Sequence, residues 1–347
     1  MTTATHNPPL TFDDDASCVE PTGDVFVVVP SYNHARFVAT CLRSIFKQTL
    51  APAKLLVIDD GSIDDSPRVI ADALKECPFP CELIARENRG LCVTLNEGLA
   101  HSSSNGGRYF AYLGSDDLWL ENFLEARVKL LAARPRAVLA YGHAYLLDEH
   151  NRIIDCTRDW AHYADGDARP MLWHTVTAPM SPSVLYRRAA LARHGGWDES
   201  ARLEDYDLYL RLGAAGGEFA FDPRVLSAWR WHGTNTSRDQ LMMLEEQLAA
   251  QRRAAKLFDI SAGELDRRHA AIRFRRAEDF LRLGHKRPAL ALLRRNWRGA
   301  AATTSTTLLP TLLARMTLRL LTPFSLAQWH RRRVARRAGE RYGTLQL

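Results

Sequence analysis

Four short apolar runs, each followed by an amphipathic stretch, organise the first 135 residues. VFVVV (25–29) is β-branched or aromatic at every position and stops at Pro30. That is the pattern of a strand covered on both faces. Residues 35–48 place Phe37, Cys41, Leu42, Ile45 and Phe46 at helical spacing. LLVI (55–58) repeats the strand pattern, and Asp64 or Asp65 with Pro67 marks the start of a helix to about Cys77. ELIA (82–85) reads as a third strand, residues 90–101 as a third helix and YFAYL (109–113) as a fourth strand. Strand alternating with helix four times predicts an α/β fold, a mainly parallel sheet with right-handed crossovers flanked by helices.

Beyond this the pattern loosens. A helix is expected over 120–133, a strand over 137–147, a loop-rich stretch over 150–183, a short strand at 183–186 and helices at 188–194 and 204–212. From about 240 onward the chain reads as helical and Arg-rich, interrupted at Gly284, Pro288 and the TTSTT segment (303–307). The expected organisation is a disordered tail (1–23), a Rossmann-like α/β domain (24–240) and a basic C-terminal α-helical region (241–347).

Charge sharpens that division. The net +6 hides an asymmetry: residues 261–347 carry 19 Lys and Arg against 5 Asp and Glu, whereas residues 1–260 carry 27 against 35. An acidic body with a tail of net +14 points to an anionic partner for the tail, phospholipid before nucleic acid, since no nucleic-acid motif accompanies the charge. Residues 315–337 interleave Arg315, Arg319, Arg331, Arg332, Arg333, Arg336 and Arg337 with Leu318, Leu321, Phe324, Leu326 and Trp329, the make-up of an interfacial helix. The N-terminus lacks a signal-peptide pattern and no stretch reaches the ~18 apolar residues of a membrane span. A solvated, Arg-rich helical cap on the α/β domain accounts for residues 315–337 as well. The expectation is therefore a cytoplasmic protein, with a peripheral place on the cytoplasmic face of a membrane as the alternative to a soluble one. The six cysteines, CPFPC (77–81) included, lack zinc spacing and are expected as reduced thiols.

Ligands of open parallel sheets bind outside the carboxyl ends of the strands, and those ends are consistently polar. Strand one runs into PSYN (30–33), strand two into DDGS (59–62) and strand four into GSDD (114–117). Turn and cap chemistry accounts for each alone. Four acids at one edge repel one another unless a cation or donors intervene, and a divalent metal bridging a diphosphate meets that need.

The ordered series VVVPSYN, LLVIDDGSIDDS, NRGLCVTLNEGLA, YFAYLGSDDLWL, LEDYDLYLRL and WRWHGTNTS resembles the family 2 glycosyltransferases with the GT-A fold, over about residues 24–240. The resemblance implies inverting transfer of a sugar from a nucleotide-sugar, commonly a UDP-sugar, to a hydroxyl of a glycan or lipid-linked acceptor in cell-surface polysaccharide or glycoconjugate synthesis. It implies Mg²⁺ or Mn²⁺ as cofactor. It puts Pro30, Tyr32, Asn33, Asp59, Asp60, Asn88, Arg89, Ser115 and Asp116 around the nucleotide-sugar, with Asp60 facing the base. Asp116 and His232 become metal contacts, Asp117 a supplementary one, Asp205 the catalytic base beside Glu204, and Trp197 an acceptor contact. The sequence departs from the family's Asp-x-Asp at Gly114, where the first acid is absent.

Inverting transfer needs a base for the acceptor hydroxyl on one face of the sugar and charge stabilisation for the departing diphosphate on the other. Asp205 suits the first task, with a raised pKa expected, and Asp116 with metal the second. Two rivals are a non-catalytic nucleotide-sugar binder retaining the fold, which would need no base, and a phospho-acceptor receiver module. The receiver fold is about half this length and leaves EDYDLYLRL unexplained.

Overall fold

A computed structural model describes residues 24–104, 107–174, 178–233, 235–282, 285–303 and 309–345. The expected tail (1–23), Gly284 and the TTSTT segment beyond Thr303 lie outside the described residues. The chain divides into two compact units, one up to Gly233 with the last residues from Thr344, the other from Thr234 to Gly343.

The first unit runs β1 (Val25–Ser31), α1 (Val38–Phe46), β2 (Lys54–Asp60), α2 (Ser66–Leu74), β3 (Cys81–Arg86), α3 (Leu91–Ser104), β4 (Tyr109–Tyr112), β5 (Leu118–Trp119), α4 (Phe123–Ala132) and β6 (Ala137–Leu147). It continues with β7 (Ile153–Cys156), β8 (Gly166–Asp167), α5 (Arg169–His174), β9 (Leu185–Arg187), α6 (Arg188–Arg193), α7 (Glu204–Ala214) and β10 (Glu218–Arg230). These strands form one mixed sheet of order β3-β2-β1-β4-β9-β6-β10-β5, with β7 beside β6 and β8 beside β10.

Every residue of β1 is buried, because both faces of the sheet are covered. Val25, Val27 and Val29 face a core shared with Val38, Leu42 and Ile45 of α1, Ile70 of α2 and Phe123 of α4. Phe26 and Val28 face the other layer. There a Cβ on Gly98 would come within 2.6 Å of Val28 Cγ2, so the missing side chain lets α3 lie directly on the strand.

β10 is the largest departure from expectation: thirteen residues of strand follow α7 where none was foreseen. Pro223 interrupts its alternation, and the pairing with β6 slips between Asp222 and Val225, a bulge that accommodates the proline. The region read as loops (150–183) also contributes β7, β8 and α5.

The second unit is helical: α8 (Gln240–Ala254), α9 (Ala262–Arg282), α10 (Lys286–Thr303), α11 (Leu309–Leu321) and α12 (Phe324–Tyr342). Its core gathers Leu244 and Leu248 with Phe274, Phe280, Leu292 and Met316. Pro288 does not break the pattern as expected. It sits in the first turn of α10, where a missing N–H costs nothing. Among the described residues no helix is long and apolar enough to cross a membrane.

Candidate active site

The strand order reverses between β1 and β4, and such a reversal opens a crevice outside the carboxyl ends of the two strands. β9 runs antiparallel to both β4 and β6, so β6 runs with β4, and β10 is parallel to β6. The carboxyl ends of β1, β4 and β10 therefore share one edge. They deliver Asn33-His34, Ser115-Asp116 and Trp231-His232.

Three of these side chains converge. His34, Asp116 and His232 place their ligating atoms within 4.8 Å of one another. His232 Nε2 lies 2.8 Å from Asp116 Oδ2, and His34 Nδ1 lies 3.9 Å from Oδ1 and 2.8 Å from Ser115 Oγ. Burial works to raise the Asp116 pKa, but the bond to His232 and the nearby His34 overcome it and hold the carboxyl below its ordinary range. Burial likewise lowers the His34 pKa. Imidazole and carboxylate are proper ligands for a divalent cation, so the donor set fits one.

Asp117 goes elsewhere. Its Oδ1 accepts the Arg230 N–H at 2.9 Å, and Arg230 Nε donates to the Asp116 carbonyl at 2.8 Å. Burial, then the charge of Asp116, pushes the Asp117 pKa well up. Asp117 is thus a strut between the β4 turn and β10. It neither caps α4 nor belongs to the three-residue cluster.

The DDGS acids are also tied down separately. Asp59 accepts the Ser62 N–H and hydroxyl at 2.9 and 2.7 Å. Asp60, 5% exposed, accepts the N–H groups of Arg89 and Gly90 at 2.8 and 2.9 Å and pairs with Arg86. These donors occupy the carboxylate expected to face a base, and they anchor the 87–90 turn that carries the exposed Asn88 and Arg89. A Cβ on Gly61, at φ 79°, would meet Asn88 N at 2.6 Å, so only glycine permits this approach. Asn33, itself at φ 56°, donates its N–H to Ser62 Oγ and accepts from Ile63 N, both at 2.8 Å. Tyr32 is left 47% exposed beside the buried Pro30.

The second chemical group opens α7. Glu204 and Asp205 are partly buried in its first turn. Tyr112, at the end of β4, donates to Glu204 Oε1 at 3.3 Å, and Tyr206 N–H donates to Asp205 Oδ1 at 2.6 Å. The Tyr112 contact sets the carboxylate pair at the same edge as Asp116, four residues further along. Burial first, and Asp205's charge second, push Glu204 up to about 8. Burial pushes Asp205 up to about 6. The helix dipole favours both anions by only about 0.3–1 kcal/mol, less than the desolvation it opposes. Both carboxyls are thus held above their ordinary range, and they titrate as a coupled pair.

Residues 26–195 match the family model described as glycosyl transferase family 2. The first unit belongs to the family 2 glycosyltransferases. A similar protein is an uncharacterized glycosyltransferase of Rickettsia prowazekii, 27% identical over 230 residues, which are 64% of this chain and 68% of that protein. Another is the Escherichia coli UDP-Glc:alpha-D-GlcNAc-diphosphoundecaprenol beta-1,3-glucosyltransferase, 30% identical over 131 residues, 38% of this chain and 49% of that one. In fold, the chain resembles the mannosyltransferase of Pyrobaculum calidifontis solved with GDP-Man and Mn²⁺, at TM-score 0.59 and 18% identity, covering 96% and 91% of the two chains. The fold is GT-A.

In this glycosyltransferase Trp197 is a wall residue. Its ring is 2% exposed, packed against Phe110, Tyr112 and Tyr186, so the indole face expected to meet an acceptor lies in the core. Asn96 of α3 clamps the backbone of Trp197, accepting its N–H at 2.9 Å and donating to its carbonyl at 2.8 Å. Arg211 of α7, paired with Asp207 at 3.0 Å, donates to the carbonyls of His194 and Gly196 at 2.6 and 2.7 Å. The glycine loop of the glycosyltransferase is therefore pinned from two helices. Sequence reading missed four site residues: His34, Arg86, Arg230 and Tyr112. The signal for His34 was its place directly after PSYN at a strand end. Arg86 and Tyr112 carried none, being single polar groups at the ends of apolar strands.

Proposed function

We propose that this glycosyltransferase is inverting and metal-dependent, moving a sugar from a nucleotide-sugar, in the first place a UDP-sugar, to a glycan or lipid-linked acceptor hydroxyl. The observation that carries the reading is the pairing at one sheet edge of a carboxylate base with a cation-ready cluster. The reaction needs both, one on each face of the sugar. The relative named for UDP-Glc and a diphosphoundecaprenol acceptor supports the donor and acceptor classes. The non-catalytic alternative gives no reason to keep Asp205 at an elevated pKa.

Asp116 and His232 would hold the metal. When bound, the cation offsets the negative charge that grows on the leaving diphosphate. Pro30, Tyr32, Asn33, Asn88, Arg89 and Ser115 line the nucleotide-sugar pocket, and Asp59 and Asp60 fix its loops. Asp205 is ionised at neutral pH and accepts the acceptor's hydroxyl proton as attack proceeds. The acceptor oxygen bonds to the anomeric carbon, the bond from that carbon to the diphosphate oxygen breaks, and its electron pair leaves with the diphosphate. Glu204, beside it in the same turn, raises the affinity of the pair for a proton and positions the base. Exposed Arg332, Arg333, Arg336 and Arg337 beside Trp329 on α12 support work at an anionic membrane surface, on the cytoplasmic side.

Asp205→Asn should lower transfer by about 10²–10⁴-fold and leave nucleotide-sugar binding by calorimetry unchanged. In the wild type, kcat/KM should fall on acidification below about pH 6, where Asp205 takes up its proton. Wild-type turnover by the variant would sink the base assignment. A product with retained anomeric configuration by NMR would sink inversion.

A further inference from the structure

The cluster at the crevice contains an imidazole, that of His34, which the sequence did not single out. We propose that His34 is a third protein ligand of the divalent cation, and that the resulting imidazole–carboxylate–imidazole set favours Mn²⁺ and Co²⁺ over Mg²⁺. This rests on the metal-dependent reading above and deepens it.

Two imidazoles approach the two oxygens of a single carboxylate: His232 on Oδ2 at 2.8 Å and His34 on Oδ1 at 3.9 Å. Their rings stand edge to face with centroids 5.4 Å apart, so the two imidazoles meet Asp116 side by side without stacking on each other. The arrangement is held from outside. His34 N–H donates to Ser66 Oγ at 2.9 Å, fixing the backbone at the end of β1. Phe37 packs on His232 with centroids 4.9 Å apart, and the Arg230 guanidinium covers Phe37 at 5.0 Å. At position 114 a Cβ would lie 2.9 Å from Asp116 Oδ1. Glycine there leaves that oxygen its place facing His34.

A merely structural His34 would need only its contact with Ser115, whose Oγ lies 2.8 Å from Nδ1. That contact does not require a carboxylate and a second imidazole on the same side. Three ligating side chains from three sequence-distant strand ends, at the point where the strand order reverses, are the construction expected of a cation site. Its chemistry then sets the preference. Mg²⁺ takes hard oxygen ligands and keeps its waters, whereas imidazole nitrogen suits transition ions, with affinity rising from Mn²⁺ to Co²⁺.

The test uses the full chain, stripped of metal, with Mn²⁺, Co²⁺ and Mg²⁺ titrated by calorimetry in the presence and absence of UDP. Wild type should bind Mn²⁺ and Co²⁺ at least tenfold more tightly than Mg²⁺. Electron spin echo modulation of the Mn²⁺ complex should show two imidazole nitrogens. His34→Gln keeps a polar amide near Ser115 and should lose one nitrogen, weaken Mn²⁺ and Co²⁺ by about 10–100-fold and leave Mg²⁺ nearly unchanged. His34→Ala should do the same, with circular dichroism reporting that both variants fold. A single nitrogen in wild type, or Mn²⁺ affinity untouched in both variants while Asp116→Asn abolishes it, overturns the role of His34 alone. No binding of any ion by wild type, with or without UDP, overturns the metal reading as well.

Discussion

Glu204 and Asp205 are adjacent acids in one helical turn, and burial raises both, with the charge of Asp205 raising Glu204 further. A carboxyl raised in the folded state binds more protons folded than unfolded. Its contribution to stability is therefore greatest below its ordinary value of 4.5, declines as pH rises toward about 8, and stays at the lower level above. Glu204→Gln removes this titration and keeps an acceptor for Tyr112. The variant's melting temperature relative to wild type should rise between pH 5 and pH 8. A gain of about 2–4 °C corresponds to about 1 kcal/mol in a domain of this size. A difference that does not vary with pH would refute the assigned environment. At this scale the strand-end acids and His232 were legible, since acids and histidine following apolar runs stand out in any reading. Their partners were not. Arg86 claims Asp60, and Arg230 claims Asp117, from positions 26 and 113 residues away, and no local pattern encodes such contacts.

Elements were legible where periodicity was undisturbed. β6 was expected over 137–147 and spans Ala137–Leu147, because eleven residues without proline or charge read as one strand. β10 escaped because Asp222-Pro223-Arg224 sits in its middle. A buried pair between Arg127 and Asp222, 2.7 Å apart, holds that bulge in the fold, and the pair forms only once α4 has packed on the sheet. The Gly195-Gly196 turn shows the same limit. Two adjacent glycines are compatible with a mobile loop or a tight turn, and the clamps from Asn96 and Arg211 make it tight. Both residues have positive φ, 76° and 65°, but they differ in surroundings. A Cβ on Gly195 meets nothing within 4 Å, whereas on Gly196 it meets Asn96 Oδ1 at 2.4 Å. Gly195→Ala should cost about 1–2 kcal/mol for its left-handed backbone alone. Gly196→Ala should cost that plus about 1 kcal/mol for each weakened Asn96 hydrogen bond. Urea denaturation of the two variants measures the difference, and equal losses would show that Asn96 does not clamp the turn.

The two units differ in charge as much as in architecture, and this was the most legible property of the whole molecule. Sheet order was the least legible, because the reversal between β1 and β4 that creates the crevice leaves no trace in local periodicity. The acidic body turns its carboxylates to a site. The basic excess collects on helices whose hydrophobic side chains are not all buried. On α12, Leu326 and Trp329 are about half exposed, next to exposed Arg332, Arg333, Arg336 and Arg337, and Arg333 stacks on Trp329 at 5.2 Å. Indole at the headgroup level with guanidinium around it suits an anionic lipid surface, where each basic residue contributes about 1 kcal/mol. Reversing the four arginines to Glu should therefore weaken binding to phosphatidylserine vesicles by on the order of 10³-fold. Wild-type binding should fall steeply with added salt, as exposed charges are screened. Trp329→Ser should weaken it less and without changing the salt dependence. Transfer to a water-soluble acceptor should be the same in all three proteins, because none of these residues is assigned a part in the reaction. Equal sedimentation with phosphatidylserine and phosphatidylcholine vesicles, unaffected by the four reversals, would separate the basic helices from any membrane role.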